Sequence, residues 1–173
     1  MEKHAIVRLD NVAATKNPSL IKSAKYVNNE EKPAAIDNGN FVEILGLYER
    51  EIKGNTVGER EIHVATTPKA SSTYFGLVCT PELMYEQKGA EDLAQFFNEE
   101  DEPIRVIILQ MGDIYSATAE AFDTVPTVGK FVELQAGTKG KVVESATEGS
   151  TQVGKIIAID IVGRNTFYVV EVQ

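Results

Sequence analysis

Short apolar or alternating runs separated by turn residues make up most of the chain, and this pattern predicts β-strands. Glycines lie between the runs of the second half, as in small barrels and sandwiches. The sequence therefore predicts a mainly β protein with two small barrel-like or sandwich-like modules. The predicted strands are at residues 4–9, 41–48, 61–66, 73–80, 104–110, 114–116, 130–135, 141–144, 153–162 and 166–172.

Two short blocks occur twice and in the same order. Gly-x-Phe-Val-Glu-[Ile/Leu] is found at residues 39–44 and 129–134, and Ser-Thr-x-x-Gly follows each copy, at residues 72–76 and 150–154. A glycine beside a short apolar run is typical of a strand next to a tight turn. The repetition predicts two related β-modules.

One segment has the pattern of a helix. In residues 90–97 the apolar side chains of Leu93, Phe96 and Phe97 are spaced i, i+3 and i+4, which places them on one helical face. The acidic residues and proline of 98–103 follow. The sequence thus predicts a single α-helix between the two modules.

Residues 10–38 have no sustained period and contain several asparagines and two prolines. Such composition is typical of a long loop or an extended arm. The predicted organisation therefore has four parts. They are an N-terminal strand and irregular arm at 1–38, a first β-module at 39–89, a helix and acidic connector at 90–103, and a second β-module at 104–173.

The charge distribution argues against nucleic acid as a partner. The chain has 173 residues and a net charge of −9, with 11 Lys and Arg against 12 Asp and Glu in residues 1–89 and 6 against 14 in residues 90–173. A surface that binds phosphates needs clustered basic residues, and here they are scattered. The longest apolar runs are too short for a membrane span, so no membrane partner is expected.

Few residues suggest catalysis, and we expect neither an enzyme nor a cofactor or metal. The two histidines, His4 and His63, lie on predicted strands without the spacing of a zinc site. The single cysteine, Cys79, is expected to be a buried apolar residue in a protein made in a reducing cytoplasm. No phosphate-binding loop or nucleophile elbow is present.

The second module resembles the capsid decoration, or cement, proteins of tailed bacteriophages. The resemblance is strongest in residues 112–172. It is carried by Val-Gly-Lys-Phe-Val-Glu-Leu at residues 128–134, Gly-Lys-Val-Val at 140–143 and Val-Gly-Lys-Ile-Ile at 153–157. The family uses such a tract as a compact β-barrel, so the resemblance implies a barrel here.

The resemblance also implies a mechanical function at the surface of a virion. A decoration protein binds the outside of the capsid where subunits meet, so the expected partner is a major capsid protein, and a homo-oligomer is compatible with this role. Residues 1–40 and one face of the first, nearly neutral module are expected to hold the capsid, since long arms cover wide surfaces, and the acidic second module is expected to face outward. The expected capsid-binding residues are Ile6, Leu20, Ile21, Tyr26 and Val27.

Three other functions stay open. A phage tail-tube or head–tail joining protein is also β-rich and of similar size, and it would form rings or tubes. A non-viral carbohydrate- or peptide-binding module of two small barrels would need an exposed binding groove. An enzyme is the least favoured of the alternatives.

Overall fold

The computed structural model describes residues 3–52, 55–82 and 93–173, and its regular structure is mainly β. Short 3₁₀ turns at Ala13–Thr15, Pro18–Leu20, Leu93–Gln95 and Ala119–Ala121 connect some of the strands. The strands are β1 (Val7–Asn11), β2 (Ile21–Val27), β3 (Phe41–Ile52), β4 (Asn55–Thr66), β5 (Phe75–Val78), β6 (Pro103–Ile107), β7 (Ile114–Ala117), β8 (Phe131–Gln135), β9 (Gly137–Val143), β10 (Gln152–Val162) and β11 (Asn165–Val172).

The strands form two sheets, which confirms the predicted mainly β fold. One sheet is a closed barrel in the order β2-β4-β3-β5-β6, and the other has six strands in the order β1-β7-β11-β10-β8-β9. Within the barrel only β2 and β4 are parallel, and all other neighbours in both sheets are antiparallel.

The two sheets contain the same five-strand arrangement. Strands β2 to β6 follow the order β4-β3-β5-β6-β2, and strands β7 to β11 follow the order β9-β8-β10-β11-β7. The first unit closes because β2 pairs in parallel with β4. In the second unit the corresponding contact is a single parallel bridge between Phe122 and Gly140. The second unit is thus an open version of the first, with β1 added beside β7.

The repeated sequence blocks occupy equivalent positions in these units. Val42 of the first block lies opposite Gly76, and Val132 of its second copy lies opposite Gly154. The glycines that precede the two valine-bearing strands also match, because Gly39 and Gly129 have positive φ angles of 82° and 95°. Glycine adopts this backbone conformation at little cost. The two copies therefore build the same strand pair in two units.

The two units pack against each other through a shared hydrophobic core, and the barrel has a separate core in its interior. Side chains alternate between the faces of a strand, so neighbouring residues of one strand serve different cores. Val42, Val78 and Val106 point into the barrel. Their sequence neighbours Phe41, Leu77 and Ile107 instead join Tyr115, Val132 and Tyr168 of the second unit. The barrel wall is therefore buried on both faces where it meets the second sheet.

The described part of the predicted helical segment contains no α-helix, so this prediction is wrong. Only Leu93–Gln95 forms a 3₁₀ turn, and residues 90–92 lie outside the described residues. Leu93 and Phe97 remain 43% and 36% exposed, whereas Ala94 is buried. The backbone of Asn98 exchanges two hydrogen bonds with Ile36, at 2.9 and 3.0 Å. Pairing with a distant segment takes the main-chain groups that a continuing helix would use.

The predicted irregular arm contains a barrel strand. Within residues 10–38, β2 lies between β4 and β6, and Ala24 and Tyr26 point into the barrel. Strand β6 also belongs to the barrel, whereas the sequence assigned it to the second module. The predicted boundaries after residues 38 and 103 therefore separate β2 and β6 from the barrel to which they belong. The reason is that β2 and β6 pair mainly with strands distant in sequence, which local composition does not reveal.

Replacing Gly154 with alanine should destabilise the protein by about 1–3 kcal/mol, the usual range for overpacking. A Cβ at this position would overlap the Glu171 carbonyl group on β11. Urea denaturation monitored by circular dichroism measures the effect. The control is Gly137→Ala, whose nearest new contact would be Gln135 Cγ at 3.7 Å, an ordinary packing distance. Equal midpoints for the two variants would contradict the prediction.

Removing the hydroxyl of Tyr115 should leave stability unchanged or increase it. Tyr115 is buried, its hydroxyl has no hydrogen-bond partner, and burial raises the pKa of its phenol. Tyr26 is the matched control, because its hydroxyl lies 2.8 Å from Thr67 Oγ1. We expect Tyr26→Phe to lose about 0.5–1.5 kcal/mol, the net value of a hydrogen bond. Thermal unfolding of both variants is the measurement, and a greater loss for Tyr115→Phe would overturn this assignment.

Candidate functional site

Strand β10 extends beyond its neighbour in the sheet. It pairs with β8 through Gln152, Gly154 and Lys155, and the last hydrogen bonds to the β8 side are made by Ile156. On its other side β10 pairs with β11 as far as Val162. Within the described part of the chain, no strand pairs with residues 157–162 on the β8 side. Backbone donors and acceptors along this edge are therefore available to another chain.

The free edge carries exposed aliphatic side chains. Ile157, Ile159, Ile161 and Val162 are 40%, 43%, 77% and 52% exposed. They are four of the twelve large hydrophobic residues that are exposed among the described residues, and all four fall within six positions. We call these four residues the β10 edge surface. A row of this kind marks an interaction site more often than scattered single residues do.

The strand register explains why these side chains are exposed. Ile159 lies opposite Tyr168 on β11, and Ile161 lies opposite Thr166. Directly opposed residues share a sheet face, so both isoleucines continue the face on which Tyr168 joins the core. The β10–β11 hairpin extends past the elements that cover this face, and its apolar pattern continues into solvent.

Charge does not protect this edge. Soluble proteins usually guard a free strand edge with lysine, proline or an inward-pointing charge. The only ionisable residue at positions 157–162 is Asp160, which lies opposite Phe167 on the other sheet face. Its carboxylate is 3.7 Å from the guanidinium of Arg8, which also contacts Asp10 at 2.9 Å. The face that carries Ile159 and Ile161 therefore has no charge within this segment, whereas Val162, opposite Asn165, shares the face of Asp160.

A neighbouring loop adds apolar area at the same end of β10. Val125 and Val128 are 69% and 54% exposed. The loop ends at Gly129, whose N–H donates to the Ile156 carbonyl at 2.8 Å, just before β10 loses its partner strand. An extended segment of another protein could add to this edge as a strand and cover the apolar row.

The structure does not bring the sequence-predicted capsid-binding residues together. Ile6 is buried beside Ala94 and Phe167, and Tyr26 is buried in the barrel. Leu20, Ile21 and Val27 are half-buried. Leu20 and Ile21 pack against the shared core.

Sequence reasoning missed the β10 edge surface, although its signal was present. Isoleucines at the alternate positions 157, 159 and 161 are equally typical of a strand whose side chains face the core, so the pattern alone does not indicate exposure. Only the length of β8 relative to β10 shows that this row lacks a cover.

Other chemistry is sparse among the described residues. They contain no group of three His, Cys, Asp or Glu side chains that could hold a metal ion. Cys79 is free and buried, as predicted. Burial raises the pKa of its thiol, and the nearby Arg105 guanidinium opposes this shift to a lesser extent. No helix in the described ranges is long and apolar enough to cross a membrane.

Comparisons with family models, with curated proteins and with solved structures found no match. The function is therefore inferred from the surface chemistry and the fold of this chain.

Proposed function

We propose that this protein is a structural virion component that binds the outside of a phage capsid and reinforces its lattice. The observation that carries the proposal is the β10 edge surface, a strand edge with exposed apolar side chains and no partner strand among the described residues. The sequence resemblance to decoration proteins supplies the class of partner. In this role the protein acts by adding contacts and needs no catalytic residue.

Edge-strand addition is the binding mode that fits this surface. Main-chain hydrogen bonds to an extended capsid segment would satisfy the free groups of β10, and the isoleucines would bury their side chains against it. The capsid segment would need an apolar residue at every second position, because side chains on one face of β10 repeat with a period of two.

The energetics favour binding to a lattice over binding to a single subunit. Burying an exposed aliphatic side chain contributes about 1.5–3 kcal/mol at most, and these four start partly covered. Association itself costs about 4–15 kcal/mol of lost motion. The edge alone would therefore bind weakly, and a seam that offers two contacts to one copy would raise the apparent affinity through effective concentration.

The shared core suits a protein that reinforces a lattice. Phe41, Leu77 and Ile107 of the first unit are buried against the second unit, so the two sheets are held together by apolar packing. A rigid body can carry force from one contact to another. It also loses less conformational entropy on binding than a flexible chain does. In this proposal the second unit attaches to the capsid, since the β10 edge surface belongs to it.

The proposal predicts that charge on the β10 edge surface weakens attachment. The double variant Ile159→Lys/Ile161→Lys should bind capsid shells at least ~tenfold more weakly, because lysine ammonium groups would have to be desolvated. The test requires capsid shells, and the candidates are those of any major capsid protein whose gene neighbours the gene for this chain. The measurements are co-sedimentation and the melting temperature of the shells with and without the added protein.

The matched control is Met111→Lys, which also replaces an exposed apolar side chain by lysine. Met111 is 87% exposed in the turn between β6 and β7, and its neighbour Gly112 bonds to Val172 at the opposite end of the β10–β11 pair. This variant should bind and stabilise shells as the natural chain does. Failure of the natural chain to bind, or equal binding by the double variant, would contradict the proposal. Rings or tubes of the purified protein in electron micrographs would instead favour a tail-tube protein.

A further inference from the structure

A cavity with a mixed polar and apolar wall lies between the first unit and the start of β9, away from the β10 edge surface. It has a volume of about 400 Å³. Aromatic and aliphatic groups supply part of its wall, and carboxylate, amide, imidazole and hydroxyl groups supply the rest. The lining includes His4, Tyr26, Asp37, Asn40, Phe97 and Thr138.

Several contacts fix the polar wall in place. His4 Nδ1 is 2.8 Å from Asp37 Oδ1, and the imidazole stacks on the Phe97 ring at a centroid distance of 4.9 Å. The backbone N–H of His4 donates to the carbonyl of Ala94 at 2.8 Å. The carboxylate and the aromatic ring therefore have defined positions before any ligand arrives, which lowers the entropic cost of binding.

One polar atom of the wall is buried without a partner. Asn40 is only 6% exposed, and its Oδ1 has no hydrogen-bond partner. A buried amide oxygen without a donor costs about 1–3 kcal/mol. The turn at residues 37–40 joins Asn40 to Asp37, whose Oδ2 accepts no hydrogen bond from the described residues. Asp37 Oδ2 and Asn40 Oδ1 are thus two acceptors of the same turn that lack a donor among the described residues.

We propose that this cavity binds the guanidinium of an arginine side chain presented by a segment of a partner protein. A guanidinium is planar and carries five donors, so it can serve a carboxylate and an amide oxygen together and stack on an aromatic face. Phe97 lines the cavity and stacks on His4 with only one face of its ring, so its other face can receive the guanidinium. The negative charge of Asp37 disfavours anionic ligands, and the net charge of −9 attracts a basic segment.

A second depression extends the cavity and accommodates the residues that flank the arginine. It has a volume of about 420 Å³ and shares Tyr26 and Thr138 with the first cavity. Gly137 and Thr138 begin β9, which pairs only with β8 among the described strands. Phe122 bridges Gly140 on the other side of β9, so the edge of residues 137–139 before this bridge can hydrogen-bond an extended backbone. The continuous groove therefore suits an arginine within a chain better than a free guanidinium compound.

The test uses the full-length protein and three probes. They are the peptide acetyl-Gly-Arg-Gly-amide, the same peptide with citrulline in place of arginine, and agmatine, a free alkyl guanidinium. Nuclear magnetic resonance titration measures binding through the amide signals of Phe97 and Thr138. We expect the arginine peptide to bind at least ~tenfold more tightly than the citrulline peptide, because citrulline keeps the shape but loses the charge.

Variants show whether the contact is made by this wall. Asp37→Asn should remove most of the preference for arginine over citrulline, and Asp160→Asn, which removes a carboxylate on the other sheet, should retain it. Equal binding of the two peptides to the natural chain, or no binding of either, would overturn the site, and this outcome does not depend on how Asp37→Asn folds. Agmatine binding as tightly as the arginine peptide would overturn the role of the groove. The assay contains no capsid, so it is independent of the attachment proposed above.

Discussion

The packing of Phe41, Leu77 and Ile107 against the second sheet is the contact on which the rest of the structure depends. These residues come from three strands of the barrel, and their immediate neighbours in sequence fill the barrel interior. The two-residue period of a strand thus lets one wall serve two cores. Without this contact the open second unit would lack part of its cover, and the groove between the units would not exist.

The second unit uses the same strand order as the first but does not close. Parallel pairing of β2 with β4 completes the barrel, whereas the second unit has one bridge at the same place and gains β1. A closed barrel has no edges, and an open sheet has free ones. Both surfaces proposed for binding lie at free edges of the open unit, because β9 is its last strand and β10 extends beyond β8 at one end.

The two proposed surfaces have complementary chemistry. The β10 edge surface is apolar, and the cavity at Asp37 adds a carboxylate to a mixed polar and apolar wall. A partner with an extended apolar segment and a separate arginine would engage both surfaces, each of which is too small to bind tightly alone. Lattice seams place different segments of neighbouring subunits close together, so this division of contacts is compatible with a decoration protein.

Local sequence was sufficient for some features of this protein and insufficient for others. The alternating runs predicted a mainly β chain, and the blocks at residues 39–44 and 129–134 marked equivalent strands. Cys79 is the single cysteine and lies in an apolar run, which predicted that it is buried. The apolar spacing at Leu93 wrongly predicted a helix, because a strand bridge to Ile36 takes the backbone of Asn98. Barrel closure by β2, the uncovered edge of β10 and the cavity at Asp37 were decided only by the tertiary structure. Each depends on which strands distant in sequence become neighbours and on how far one strand extends beyond its neighbour. Local periodicity contains no information about either.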